Sequence, residues 1–151
     1  MIIDAKDLRL GRMATQVAKK ALLGEDMVIV NCEKAVLTGN KQSVLAKYKA
    51  RRSRGQFNQG PYIPRRPDMF VKRAIRGMLP YKQPKGRAAF ERIKCYLGVP
   101  EEFKELETLE NANINKVPSL RYVYIEFICK ELGARNLGQN KWKLKIIIKN
   151  I

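Results

Sequence analysis

Between Lys41 and Lys94 the chain holds 16 of its 31 Lys and Arg residues but only two of its 14 acids, Asp68 and Glu91, which leaves +14 of the formal net charge of +17 on this stretch. Residues 1–40 carry +1 and residues 95–151 carry +2, so the charge is local. An ionised side chain removed from water without a partner costs several kcal/mol. Most of this stretch must therefore stay at the surface, and the core has to come from the flanking sequence and the few apolar positions inside it. The run RRSRGQFNQGPYIPRRP, residues 51–67, has too many Arg, Gly, Pro and amide residues for a core element. It also has too little apolar surface to enter a membrane. It reads as a phosphate-binding surface, for RNA in particular.

At 151 residues the chain has the length of one domain, and a domain of this size buries about 70% of its unfolded surface. The expected organisation is a single domain over residues 1–151, with 41–94 facing RNA and 101–118 an acidic, polar connection. No run approaches the roughly 18 apolar residues that span a bilayer. The start, MIIDAKDLRLGR, lacks the pattern of a secretory signal, so the expected location is the cytoplasm. Cys32, Cys95 and Cys129 are an odd, widely spaced set in apolar surroundings. They predict buried, reduced thiols rather than a disulfide framework or a zinc site. The chain has no histidine, which removes the commonest general base and metal ligand. No cofactor, metal or small-molecule substrate is expected.

In chain order, Met1 to Asp4 predicts a strand, and Met13, Val17, Ala21 with Ala14, Ala18, Leu22 predict a helix over Gly11 to Gly24, closed by Gly24. MVIVN, residues 27–31, predicts a strand buried on both faces, and strand, helix, strand implies a right-handed parallel crossover. After a turn at Thr38-Gly39-Asn40 a second helix places Val44, Leu45 and Tyr48 inward and Lys47, Arg51 and Arg54 in one basic stripe. Gly55 to Arg66 predicts a loop that orders on binding. Pro67 and Asp68 open a helix with Phe70, Val71, Ala74, Ile75 and Met78 inward and Lys72, Arg73 and Arg76 on the remaining surface, ending by Pro80. YKQPKGR, residues 81–87, predicts a second basic loop, and Arg87 to Leu97 a helix with Ala89, Phe90, Ile93 and Leu97 inward. Residues 101–118 predict at most local helix. RYVYI, residues 121–125, predicts a strand, followed by a helix through Leu132 that Gly133 caps; the region Leu144 to Ile148 is strand-like.

A net charge of +17 is about twice the upper end of the roughly 2 to 8 comfortable for a small domain. Such self-repulsion calls for a polyanion: nucleic acid, or failing that an anionic membrane surface. Phe57, Tyr62 and Tyr81 have two readings, stacking on unpaired bases or pinning their loops to the domain. Arg51, Arg52, Arg54, Arg65 and Arg66 are stronger candidates, because a guanidinium grips phosphate bidentately and also stacks. Leu10-Gly11-Arg12 could hold a phosphate at a helix N-terminus, though tight turning is the simpler role for Gly11. Thr38-Gly39-Asn40-Lys41 lacks the GxxxxGK[ST] spacing of a nucleotide-binding loop. An enzymatic alternative would have to use Asp4, Asp7 and Glu33, the early carboxylates near strand ends. A free RNA-binding regulator is a third possibility.

Several strings together resemble one family: IDAKDLRLGRMAT, IVNCEKAVLTGNK (29–41), RGQFNQGPYIPRRP (54–67), RGMLPYK (76–82) and KGRAAFERIKCYLGVP (85–100). They are similar, in order, to the L-thirteen family of large-subunit ribosomal proteins in its archaeal or eukaryote-like form. The resemblance implies a three-layer α/β/α domain around a small, mainly parallel sheet with extended basic loops. It implies a non-enzymatic constituent of the large ribosomal subunit that binds and stabilises folded ribosomal RNA, supports early assembly, and touches neighbouring ribosomal proteins. It makes Arg54 to Pro67, Arg76 to Pro80 and Lys85 to Arg87 the principal RNA-facing segments. The candidate RNA-binding set is thus Arg12, Lys41, Lys47, Arg51, Arg52, Arg54, Gln56, Phe57, Asn58, Tyr62, Arg65, Arg66, Lys72, Arg73, Arg76, Lys82, Lys85 and Arg87.

Overall fold

In the computed structural model, residues 1–55, 58–103, 105–116 and 121–134 are described. Gln56, Phe57 and the strand-like region Leu144 to Ile148 lie outside them. The first strand, β1 (Ile2–Asp4), runs into helix α1 (Leu10–Leu22) and returns in β2 (Met27–Val30), which pairs in parallel with β1 through Ile3 opposite Ile29. Helix α1 forms because its apolar residues recur every three or four positions. Leu10, Met13, Ala14, Val17, Ala18 and Ala21 are all buried, and the small alanines let the helix lie close to its neighbours. It closes at Gly24, whose φ of +105° suits glycine and whose N–H donates to Ala21 O at 3.2 Å. On β2, Met27, Ile29 and Val30 are buried, so both faces of the strand are covered.

The chain continues through β3 (Val36–Thr38), α2 (Lys41–Ser53), α3 (Pro67–Arg76) and α4 (Pro84–Glu91) to β4 (Ile93–Cys95). It ends with β5 (Tyr122–Tyr124) and α5 (Ile125–Glu131). The sheet order is β1-β2-β4, all parallel, and β3 pairs antiparallel with β5. The expected α/β domain around a small, mainly parallel sheet is present.

Four local expectations need correction. The helix predicted over Arg87 to Leu97 begins earlier, at Pro84, and stops at Glu91; Ile93, Lys94 and Cys95 instead pair with Met27, Val28 and Ile29. An unpaired edge of β2 would leave buried backbone groups without partners, and that need outweighs the weak helical pattern of a short apolar run. Because the helix starts at Pro84, Lys85 and Arg87 sit on α4 and not in a loop. Strand β3 was not anticipated, since three residues show no periodicity and only the distant partner β5 makes them a strand. Met78, expected to face inward, lies past the end of α3 and is 42% exposed; Leu79 is buried in its place. Cys32 and Cys129 are buried, whereas Cys95 is only half-buried; all three are free.

The acidic stretch after Pro100 lies along the outer edge of β1. Asp4 N–H donates to Glu107 O at 3.0 Å, Glu107 N–H to Ile2 O at 2.9 Å, and Arg9 N–H to Ala112 O at 2.8 Å. Ala112 is buried at the end of a short 3-10 turn, Glu110–Ala112, and a second, Ile114–Lys116, follows. Helix α5 packs Ile125, Ile128 and Cys129 into the same core, and Gly133 closes it at a φ of +80° with its N–H on Lys130 O.

Candidate nucleic-acid interface

Helix α2 starts at Asn40, whose Oδ1 accepts from Gln42 N–H at 3.2 Å, and none of its 13 residues is buried. Val44, Leu45 and Tyr48, predicted to face inward, are half-buried. The helix is held by contacts of its side chains. The Tyr48 ring lies 5.0 Å from that of Phe70, Lys41 Nζ sits 3.8 Å over Phe127, and Lys49 pairs with Glu131 at 3.5 Å. Arg52 Nη1 donates to Leu132 O at 2.5 Å, capping the carbonyl end of α5, where a cation is favoured by the helix dipole. Arg65 approaches the same end, next to Gly133. Lys47, Arg51 and Arg54 remain exposed, with Arg51 leaning 5.7 Å over Tyr48.

The following loop closes on itself. A Cβ at Gly55 would stand 1.6 Å from Gly60 O, and Gly55 has a φ of +100°, so the crossing requires glycine. Arg73 on α3 donates to Tyr62 O, fastening the loop from beneath. The ring of Tyr62 is 72% exposed, and Asn58 is exposed at a φ of 69°. Arg66 donates bidentately to Asp68, Nε to Oδ1 at 3.1 Å and Nη2 to Oδ2 at 2.6 Å, at the N-terminus of α3. Lys72 Nζ lies 4.8 Å over Phe90, and Arg76 lies 5.0 Å over Tyr81. Tyr81 thus has Arg76 over its ring but is 42% exposed, and Tyr62 is open to solvent.

The turn after α3 docks on α4. Gln83 N–H donates to Pro80 O at 2.9 Å, and a Cβ on Gly86 would stand 2.2 Å from that same oxygen. Arg76, Gly77, Leu79, Pro80, Tyr81, Lys82 and Gln83 line a shallow cavity of about 320 Å³. Lys82, Lys85 and Arg87 are exposed beside it. Arg12 is exposed on α1, one turn before Thr15, whose Oγ1 reaches Met78 Sδ at 3.4 Å. Arg12 thus stands in the first turn of α1 and borders the turn after α3. Lys94, which sequence reasoning placed within a helix, is exposed on β4; the alternation Ile93-Lys94-Cys95 was the available signal.

Of the 16 basic residues in 41–94, only Lys49 and Arg66 have a carboxylate of the described residues within ion-pair distance. The carboxylates of the enzymatic alternative are bound into the scaffold. Asp4 Oδ1 accepts from Asn31 Nδ2 at 2.9 Å and Lys6 N–H at 3.0 Å, both Glu33 oxygens accept from Gly98 N–H at 3.2 Å, and Asp7 Oδ1 accepts from Tyr124 Oη–H at 3.0 Å. That last bond holds the Tyr124 phenol neutral, pushing its pKa up to about 12.

The family model for ribosomal protein L13 matches residues 1–102. The chain is 44% identical over 137 residues to the large ribosomal subunit protein uL13 of Methanosarcina barkeri, covering 89% of this chain and 98% of that one. It is 43% identical over 139 residues to that of Archaeoglobus fulgidus, covering 90% of this chain and 89% of the relative. For the protein of Methanocaldococcus jannaschii the identity is 42% over 138 residues, with coverage of 89% and 98%. These relatives are archaeal, within the archaeal or eukaryote-like form that the resemblance implied. Agreement on this scale, spanning the sheet, α1 to α4 and the basic surface they carry, shows that the chain belongs to the ribosomal protein L13 family.

Proposed function

We propose that the protein is a non-catalytic constituent of the large ribosomal subunit, located in the cytoplasm on the ribosome. It binds and stabilises folded large-subunit ribosomal RNA during early assembly and contacts neighbouring ribosomal proteins. The observation that carries this reading is the unneutralised charge: in 41–94, 14 of 16 cations have no carboxylate partner among the described residues. Such charge is stabilised by phosphates, with release of their counterions.

The candidate residues divide by role. Arg52, Arg66 and Arg73 shape the surface through their bonds to Leu132 O, Asp68 and Tyr62 O. Arg12, Lys47, Arg51, Arg54, Arg65, Lys82, Lys85 and Arg87 neutralise phosphates. Lys41, Lys72 and Arg76 lie over aromatic rings and keep their charge available. Tyr62 and Asn58 offer a ring and an amide to unpaired bases, and Phe57 and Gln56 belong to the same segment, Arg54 to Pro67, that the resemblance makes RNA-facing. Specificity then comes mainly from RNA shape.

The test is sedimentation of a cell extract through a sucrose gradient at raised salt. Comigration with the large subunit at about one copy each, lost on ribonuclease digestion, is expected; migration as a small free species overturns the reading. With isolated RNA, substituting Lys47, Arg51 and Arg54 together by alanine is expected to flatten the log-affinity against log-salt slope. The change is roughly 0.7 to 0.9 for each phosphate no longer neutralised. An unchanged slope removes this helix from the interface.

A further inference from the structure

Two of the three cysteines meet at the end of the sheet. Asn31 stands in the left-handed region, with a φ of 52°, and turns the chain just after β2. This turn brings Cys32 back against β4, where its N–H donates to Tyr96 O at 3.2 Å. The Cys32 thiol is fully buried and donates to Ile29 O at 3.6 Å, and Ile29 is the residue that faces Cys95 across β2 and β4, so Cys32 is packed beside Cys95. Cys95 is half-buried and lines an opening of about 210 Å³ with Asp68, Met69, Lys72, Lys94 and Tyr96. One thiol can thus be reached from solvent, and the other stands behind it. Their positions in the sequence add a topological fact: Cys32 precedes and Cys95 follows the segment 41–94 that carries the basic charge.

We propose that Cys32 and Cys95 form an oxidisable pair, which hydrogen peroxide converts to a disulfide that ties together the two ends of the basic segment. The Cys95 sulfur, as thiolate, attacks one peroxide oxygen; the O–O bond breaks, a proton completes the departing water, and Cys95 becomes a sulfenic acid. The Cys32 sulfur then attacks the Cys95 sulfur. The S–S bond forms, the S–O bond breaks, and the leaving hydroxide takes the Cys32 proton as a second water. In sum two thiols and one hydrogen peroxide give one disulfide and two waters. The order of attack follows from access: Cys32 is fully buried and Cys95 is not, so Cys32 resolves the sulfenic acid and does not meet the oxidant first, and the neighbouring Cys95 thiol together with burial raises the Cys32 pKa well above the usual thiol range. Cys129 takes no part, being buried on α5 with its pKa pushed up to about 12 by burial.

The consequence is a covalent loop of about 60 residues, which restricts the unfolded chain and is expected to raise the thermal midpoint by about 10 °C. The test treats the full-length, fully reduced, RNA-free chain with equimolar hydrogen peroxide, followed by unfolding, alkylation, digestion and mass spectrometry. The expected result is a loss of about 2 Da, with the Cys32 and Cys95 peptides linked and Cys129 alkylated. The raised midpoint should be reversed by dithiothreitol. In Cys32→Ala, Cys95 should stop as a sulfenic acid that dimedone traps. Cys95 accumulating as sulfinic acid in the unsubstituted chain while Cys32 still alkylates, or a bridge that includes Cys129, overturns the proposal. Because the unsubstituted chain alone gives this answer, a variant that fails to fold does not affect it.

Discussion

Helices α1 and α2 each have 13 residues, yet six residues of α1 are buried and none of α2 is. The first is a framework helix whose buried face packs against α3, α4 and β2. The second is a platform attached by a few discrete bonds and ring contacts, leaving its outer surface to Lys47, Arg51 and Arg54. Equal length therefore says nothing about role; the number of apolar positions decides how much of a helix is withdrawn from water. A helix with few of them is held by specific anchors, and those anchors are themselves partly cationic. In α2 the same residue type does two jobs: Arg52 holds the helix to α5, while Arg54, two positions on, faces outward.

The largest test of this contrast is Met13→Ala. Met13 is fully buried in α1, and its truncation should cost roughly 2–5 kcal/mol in urea unfolding. Lys47→Ala on α2 should stay within about 0.5 kcal/mol; similar losses at both positions would erase the distinction. Next comes Gly86→Ala. Alanine is favoured over glycine within a helix by about 1 kcal/mol, but its Cβ would lie 2.2 Å from Pro80 O. Since that clash outweighs the propensity, a net loss of about 1–3 kcal/mol is expected in the same assay. A gain in stability would mean that the turn after α3 is not docked on α4.

A smaller effect separates two arginines at the end of α2. Arg52→Ala removes the charged donor on Leu132 O and should cost about 1 kcal/mol. Arg54→Ala should leave stability unchanged and lower only RNA affinity. The smallest concerns the hydrogen bond from Tyr124 Oη–H to Asp7, which joins the residues leading into α1 to those leading into α5. Tyr124 has its pKa raised to about 12 in the fold, against about 10 for an unfolded tyrosine. The bond's contribution is therefore full below about pH 10 and disappears as pH rises through about 12. Ultraviolet titration should show a late tyrosine that returns towards its ordinary range in Asp7→Asn; no late tyrosine would mean that the starts of α1 and α5 are not coupled.

How much was legible follows from how local each signal is. Helix α1 and β2 could be read because their apolar periodicity lies within one element and meets no competing demand. The basic region could be read from charge alone, and so could Gly24 and Gly133 as helix ends from their place after an apolar run. The failures have one cause. Strands β3 and β4 are three residues each, too short to display a period, and exist because β5 and the free edge of β2 supply their hydrogen bonds. Met78 lost its inward place because the chain turns at Gly77, and the placing of Cys32 against β4 depends on the left-handed turn at Asn31.

The sequence by itself determined the class of the fold, where the charge lies, and the kind of partner that charge requires. Those depend on composition and on intervals of a few residues. Only the tertiary structure decided which arginines are anchors and which are free, because an arginine's role depends on whether a carbonyl or carboxylate far along the chain comes within hydrogen-bond reach. Arg52 and Leu132 are 80 positions apart, and it is the packing of α2 against α5 that makes them partners.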